Sequence, residues 1–375
     1  MSKTTILAQQ AIVLLQQAID KLGFKPLVHF ELEGTYQFPK QLPYKKLDFE
    51  QVNQALTKLA IEAELVPEYW KNQWEYVSKF CLQSPLKEAH NLATAITKLP
   101  EIFAKQGVIN TFIKPVIWSG DQGKLAAGCD NIFTPNSRAV HIPNAVQINV
   151  SALDSNKRNI IPVDFFGEYL QQCFLTTSFE CALLYLPEEE AFERLSLKSY
   201  YGLAKELCSP SDISGGHQGS IALYKKVGKH NQALGVEPLV LDQNQQILIK
   251  HDNWQKTARI EHRLGASSIH YNPYVNVVFA LLNLHQALKV YVAGQCQQLL
   301  TEPKVPEQLP TSLYDTTNGK GAIAIFRESN WFREQLNQIQ ADNVKQLNMP
   351  SIELANNIGS ELKQSILSDY QQTIL

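Results

Sequence analysis

The sequence has no Cys-x-x-Cys pair. Its six cysteines, Cys81, Cys129, Cys173, Cys181, Cys208 and Cys296, are scattered through 375 residues. That pattern excludes a disulfide-stapled scaffold and a zinc-ribbon spacing, and free thiols in a reducing, cytoplasmic setting are expected. An excess of either charge is also missing. Lys plus Arg number 34 and Asp plus Glu 36, for a net charge of −2. There is no overall basic field to draw in nucleic acid and no acidic tail. Nor is there an uninterrupted run of about 18 apolar residues, the length a membrane-crossing helix needs, so no span is expected. The opening MSKTTILAQQAIVLLQQAIDKLG is broken by Gln9, Gln10, Gln16 and Gln17 and lacks a small-residue cleavage site. It reads as an amphipathic first helix rather than a signal peptide.

What is present is apolar content of 44%, enough for a sizeable core. Helical spacing of apolar residues covers 5–22, 48–66, 86–106 and 163–187, and a long helix over 272–300 carries Pro273 in its first turn. Alternation predicts strands near 26–38, 110–118, 138–142, 145–153 and 256–264, and aromatic content favours one over 68–80. Residues 197–235 read as loop plus strand, 301–320 as a Pro-rich loop, and the tail beyond 325 as helical. Strands spread among helices without regular βαβ spacing predict an α+β protein with an antiparallel sheet. No strong linker divides the chain, so 1–375 is read as one domain.

Four of these segments carry polar side chains at period two. In LVHFELEGTY, His29, Glu31, Glu33 and Thr35 alternate with Val28, Phe30, Leu32 and Tyr36. In EYWKNQWE, Gln73 and Glu75 share a face and Glu68 opens the segment. In AVQINVSALD, Gln147, Asn149 and Ser151 oppose Val146, Ile148 and Val150. In RIEHR, Glu261 lies between Arg259 and Arg263. A solvated sheet edge is the plain reading of each alone. Paired in one sheet, they would gather five carboxylates, two arginines and a glutamine on one face. Such a face suits hard divalent cations, Mg²⁺ or Mn²⁺, and the arginines suit phosphate. Together they suit phosphoryl transfer. His29 and His262 are expected on strand surfaces, and Trp74 and Trp254 in packing roles.

In this order the segments resemble the catalytic domain of the glutamine synthetase family, over about residues 5–300. FELE resembles the family's first-strand Glu-x-Glu, and 68–75 resembles its EVMPGQWE, with the glutamates seven positions apart. Helix 86–106 followed by GVINTFIKP resembles the family's helix and its G…ATFMPKP. Residues 145–154 sit where the family has GMHxHQSLWD. KTARIEHR resembles KARRIExR, and HYNPYVNVVFALL resembles xANPYLxxAALL. The resemblance implies a curved antiparallel sheet, a half-barrel, flanked by helices. It implies one cation at Glu33, Glu68 and Glu75 and a second at Glu31, Glu261 and Gln147. Lys256, Arg259, Asn149 and Ser151 would contact ATP, and Arg263 and Cys208 would stand at catalytic positions. The implied reaction is an ATP- and metal-dependent ligation of a carboxylate to an amine through an acyl phosphate.

The departures from that pattern are specific. Gln147 and Asn149 replace the two histidines of the family motif. Gly202 stands at the arginine that grips the substrate carboxylate. Cys208 stands at the glutamate that shields the acyl phosphate. A thiolate is a good nucleophile, but no histidine adjoins Cys208, and His217 is nine positions on. Gln218 and Leu223 replace two phosphate-site arginines, with Lys225 and Lys226 as candidate substitutes. His141 precedes the altered motif and is a further candidate near the cation. The Gly-rich GGHQG at 215–219 does not follow the phosphate-loop pattern and is read as a turn. The sequence opens at the helix preceding FELE, so the family's N-terminal β-grasp domain is expected from a partner chain, or else a trimmed homo-oligomer or a monomer without it is expected. The substrates expected are a small carboxylate and an amine other than glutamate and ammonia. The alternative is a glutamine synthetase-like pseudoenzyme with a structural, regulatory or ligand-binding role.

Overall fold

The computed structural model describes residues 1–39, 41–42, 45–68, 72–118, 141–196, 206–207, 221–225, 257–300, 307–347 and 357–371. The chain opens with helix α1 (Lys3–Lys21), whose Ser2 cap accepts from the Thr5 amide, and enters strand β1 (Lys25–Gln37). Helix α2 (Phe49–Lys58) and strands β2 (Ala63–Pro67) and β3 (Gln73–Ser78) follow. Next comes α3 (Pro85–Ala104), capped by Ser84 with Pro85 in its first turn. Strands β4 (Asn110–Phe112), β5 (Val116–Trp118), β6 (His141–Pro143) and β7 (Val146–Leu153) lead to α4 (Phe166–Ser178), α5 (Ala182–Tyr185) and α6 (Glu189–Ser196). Beyond them are β8 (Glu206–Leu207), β9 (Ile221–Tyr224), β10 (Arg259–His262), α7 (Pro273–Val292), α8 (Cys296–Leu299) and β11 (Glu307–Gln308). Helices α9 (Ala322–Glu328), α10 (Trp331–Leu347) and α11 (Ile358–Gln371) complete the order.

The main sheet runs β2-β3-β1-β7-β10-β9, with β4 also on β1. Every pairing in it is antiparallel. Among the described residues β2 and β9 do not pair, so the sheet stays open rather than closing into a barrel. Residues directly opposed across an antiparallel ladder share a face. One face therefore carries Val28, Phe30, Leu32, Trp74, Tyr76, Val146, Ile148, Val150 and Ile260, all buried. Helices α1, α3 and α7 cover β1, and α4 covers β9 and β10. Buried apolar side chains from Leu7 to Ile366 form one cluster. Gly34 is required where β1 meets β3: a Cβ there would lie 2.4 Å from the Trp74 ring and 2.7 Å from the Phe112 carbonyl oxygen.

Several boundaries differ from the sequence expectations. The helix expected over 48–66 ends at Lys58. Ala60 takes a left-handed φ of 55°, and AELVP then alternates as a strand with Ala63 and Leu65 inward and Glu64 outward. The helix expected over 163–187 is two helices. The Thr177 and Ser178 hydroxyls bond back to the carbonyls of Cys173 and Phe174, and the chain turns before Ala182. Gly294, at φ 69°, ends α7 before α8. By length and composition α7 is apolar enough to cross a membrane, although Asn276, Asn283, His285, Gln286 and Lys289 interrupt its apolar run. It lies inside the fold, packed by α1, α3 and α4.

Candidate active site

The opposite face of the sheet collects the polar side chains. On β1, Glu31 and Glu33 point the same way. Glu33 stands opposite Glu75 of β3, and Glu31 opposite Gln147 of β7. Asn149 stands between His29 and Glu261, which lie on its two neighbouring strands. Ser151 is buried one pair further along, opposite Leu27. Glu68 is exposed just past β2, its amide donating to the Gln73 carbonyl.

The β10 side of the face is a closed set of ion pairs. Glu261 accepts from Arg259 at 2.8 Å through one oxygen and from Arg263 at 3.2 Å through the other. Asn149 links this set to β1: its Oδ1 accepts from Arg259 Nε at 2.7 Å, and its Nδ2 donates to Glu31 Oε1 at 3.1 Å. The Arg259 guanidinium lies over the Tyr224 ring, 4.6 Å from its centroid.

Glu31 and Glu33 are less well compensated. Glu33 Oε2 accepts from the Ala145 amide at 2.8 Å. Even so, burial pushes its carboxyl up to about 7, with Glu68 adding to the rise and Arg194 opposing it. Burial, and then the like charge of Glu261, raise Glu31 as well. Taking a carboxyl out of water disfavours its ionised form unless a cation is brought to it.

Arg194 is the residue that sequence reasoning missed. It lies on α6, 2% exposed, and donates to the backbone carbonyls of Leu264 at 3.3 Å and Arg263 at 3.4 Å. Burial pulls it down to about 10, so it stays charged at neutral pH and acts on Glu33. The available signal was spacing: Ala191, Arg194 and Leu195 share one helical face, and both neighbours are buried. His29 and His262 are buried as well, not on strand surfaces as expected. Burial lowers His262 to about 3; it lowers His29 to about 4, helped by Arg259. His262 sits on the helix-covered face, bonded to the Ser178 hydroxyl at 3.1 Å. The His29 ring packs on Phe80 with centroids 4.2 Å apart.

The donor chemistry fits a hard divalent cation at the central β1–β7 pair. Gln147 Oε1 is buried with no hydrogen-bond partner, beside a Glu31 carboxyl that lacks full compensation. A closed cage is not formed: among the described residues no three His, Cys, Asp or Glu side chains are arranged to hold one ion. Leu223 and Lys225 face away from the carboxylates. Leu223 stands opposite Ile260 and packs on the core, and Lys225 pairs with Glu168 of α4. Trp74 is fully buried, as expected. The backbone of His141 lies in the separate β5–β6 pair. Lys256, Cys208, Gly202, His217, Gln218, Lys226, Trp254 and the 215–219 turn lie outside the described residues.

Solved structures align along almost the whole chain. No protein-family model and no curated protein matches the sequence. A crystal structure described as a novel glutamine synthase homolog is 15% identical, covers 98% of this chain and 70% of its own, and gives a TM-score of 0.61. The Plasmodium falciparum glutamine synthetase is 12% identical over 98% of this chain and 76% of its own, with a TM-score of 0.62. A GmaS/ADP complex is 12% identical over 97% and 75%, with a TM-score of 0.52. At such identities the likeness is one of fold: the chain has the glutamine synthetase-like α+β fold.

Proposed function

We propose that this chain is an ATP- and divalent-cation-dependent ligase that joins a small carboxylic acid to an amine through an acyl phosphate. The observation that carries the reading is the convergence of Glu31, Glu33, Glu75 and Glu261, from three strands, on one face of a glutamine synthetase-like sheet. Glu31 and Gln147 would hold a cation at the β1–β7 pair, and Glu33, Glu68 and Glu75 would bear on a second. When bound, Mg²⁺ or Mn²⁺ neutralises the triphosphate and polarises its terminal phosphoryl group. Arg259 and Arg263 present forked donors to phosphate oxygens once these replace the carboxylate of Glu261. The substrate carboxylate oxygen takes the γ-phosphoryl group and ADP leaves. The amine then attacks the acyl carbon, the C–N bond forms, phosphate departs, and the amine proton passes to a base.

The acid and amine are read as other than glutamate and ammonia, because Gly202 and Cys208 replace the family residues that serve those substrates. One observation favours a non-catalytic relative instead: both oxygens of Glu261 are already bonded to arginines. A thermal-shift scan of nucleotides with Mg²⁺ or Mn²⁺, followed by phosphate release over a panel of acids and amines, separates the two. The ligase reading expects a shift with ATP plus cation and acid-dependent phosphate release. The absence of a shift with every nucleotide–cation pair overturns it.

A further inference from the structure

His29 and Gln147 flank Glu31 on the polar face. The ladder places His29 opposite Asn149 and Glu31 opposite Gln147, so these four side chains form a two-by-two patch on β1 and β7. Diagonal neighbours in such a patch lie within reach of long side chains. His29 is 3% exposed and Gln147 6%. Each carries one buried polar atom with no partner, His29 Nε2 and Gln147 Oε1. A buried polar atom without a partner is costly, and native proteins leave few of them. Of the eleven such atoms among the described residues, these two share one patch, on either side of a carboxyl that burial and the like charge of Glu261 raise. Asn149, the fourth member, is fully engaged with Glu31 and Arg259. A ring nitrogen, a carboxylate and an amide oxygen are all donors that a divalent cation accepts.

We propose that His29 Nε2, Glu31 and Gln147 Oε1 together hold a first-row divalent cation, with His29 giving the nitrogen ligand. In the resemblance described above, the histidine of this site stands at the position of Gln147 on β7; here the imidazole comes from the neighbouring strand. With an amide oxygen as third donor the set needs no third acidic, histidine or cysteine side chain, and among the described residues no such trio is gathered. Phe80 packs against the ring, with the centroids 4.2 Å apart and the planes tilted by 39°. An imidazole among oxygen donors favours Mn²⁺ or Zn²⁺ over Mg²⁺. The inference rests on the cation of the proposed ligase, but it is tested without nucleotide, so either can fail alone.

The test is pulsed electron spin resonance of the full chain loaded with Mn²⁺, where a coordinated imidazole imprints ¹⁴N modulation on the echo. Wild type is expected to show that modulation. His29→Gln, of similar volume, is expected to lose it and to bind Mn²⁺ more weakly by about tenfold or more, at least the loss that follows removal of outer-sphere partners alone. Should His29→Gln fail to fold, ¹⁵N spectra of the wild-type imidazoles decide: added Zn²⁺ is expected to move the Nε2 resonance of His29. The proposal is overturned by absence of Mn²⁺ binding, by ¹⁴N modulation that persists in His29→Gln, or by a His29 resonance that zinc leaves in place.

Discussion

Glu31 and Gln147 face each other across the β1–β7 ladder, one a carboxyl raised by burial and the other an amide oxygen with no partner. Gln147→His would put an imidazole nitrogen where that oxygen now stands. Tighter binding of Mn²⁺ or Zn²⁺ is expected, by about tenfold or more, since imidazole is the stronger ligand for such ions. Calorimetric titration of the nucleotide-free protein checks it.

Glu261 is the common partner of two partly buried guanidinium groups; its side chain is 4% exposed and those of Arg259 and Arg263 are 18% and 13%. Glu261→Ala removes the carboxylate to which two partly buried guanidinium groups are bonded. A stability loss of roughly 3–5 kcal/mol is expected in urea denaturation. The exposed Lys98–Glu101 pair, with side chains 41% and 57% exposed, is the contrast. Glu101→Ala is expected to change stability by less than about 1 kcal/mol.

Gly34→Ala forces a methyl group into the Trp74 ring and the Phe112 carbonyl. Neither can yield easily, because Trp74 is fully buried and packs edge-on against Phe103 at 5.7 Å. We expect a loss of about 1–3 kcal/mol, the usual cost of overpacking, together with a change in tryptophan fluorescence.

Glu88 is buried on α3, accepting from Ser78 at 2.8 Å and Gln83 at 2.5 Å. Burial pushes its carboxyl from 4.5 up to about 8. The folded state therefore keeps a proton that the unfolded chain gives up. Its contribution to stability is fully present below pH 4.5 and is lost as the pH rises to about 8. One such proton gives a slope of at most about 1.4 kcal/mol per pH unit. Glu88→Gln is expected to remove that part of the slope in unfolding followed from pH 5 to 8.

Much of the sheet was legible because its two faces differ. The helix-covered face selects Val28, Phe30, Leu32, Val146, Ile148 and Val150, and the other selects Glu31, Glu33, Gln147 and Asn149. Alternation of that kind is a property of adjacent residues and survives without an alignment. Asn272 and Pro273 likewise marked the start of α7, where the Asn272 side chain accepts from the Tyr274 and Val275 amides.

The depth of the polar face was not legible, because it depends on partners far away in the chain. Nothing near His29 in sequence foretells that Phe80, two residues past β3, packs on its ring. Arg194 reads as a surface charge on a short helix until α6 brings it to the carbonyls of Arg263 and Leu264. The break after Ser178 depends on hydroxyls turning back onto their own helix, against an apolar pattern that runs straight through.

The central claim is that the carboxylate face binds nucleotide through cations. Calorimetric titration of ATP into the full chain, with and without Mn²⁺, tests it most directly when repeated on Glu33→Ala combined with Glu75→Ala, after circular dichroism confirms that the variant folds. ATP is expected to bind wild type only when the cation is present, and to bind the double variant more weakly by about tenfold or more. Equal binding without Mn²⁺, equal binding by the double variant, or no binding by wild type under any condition would contradict the account.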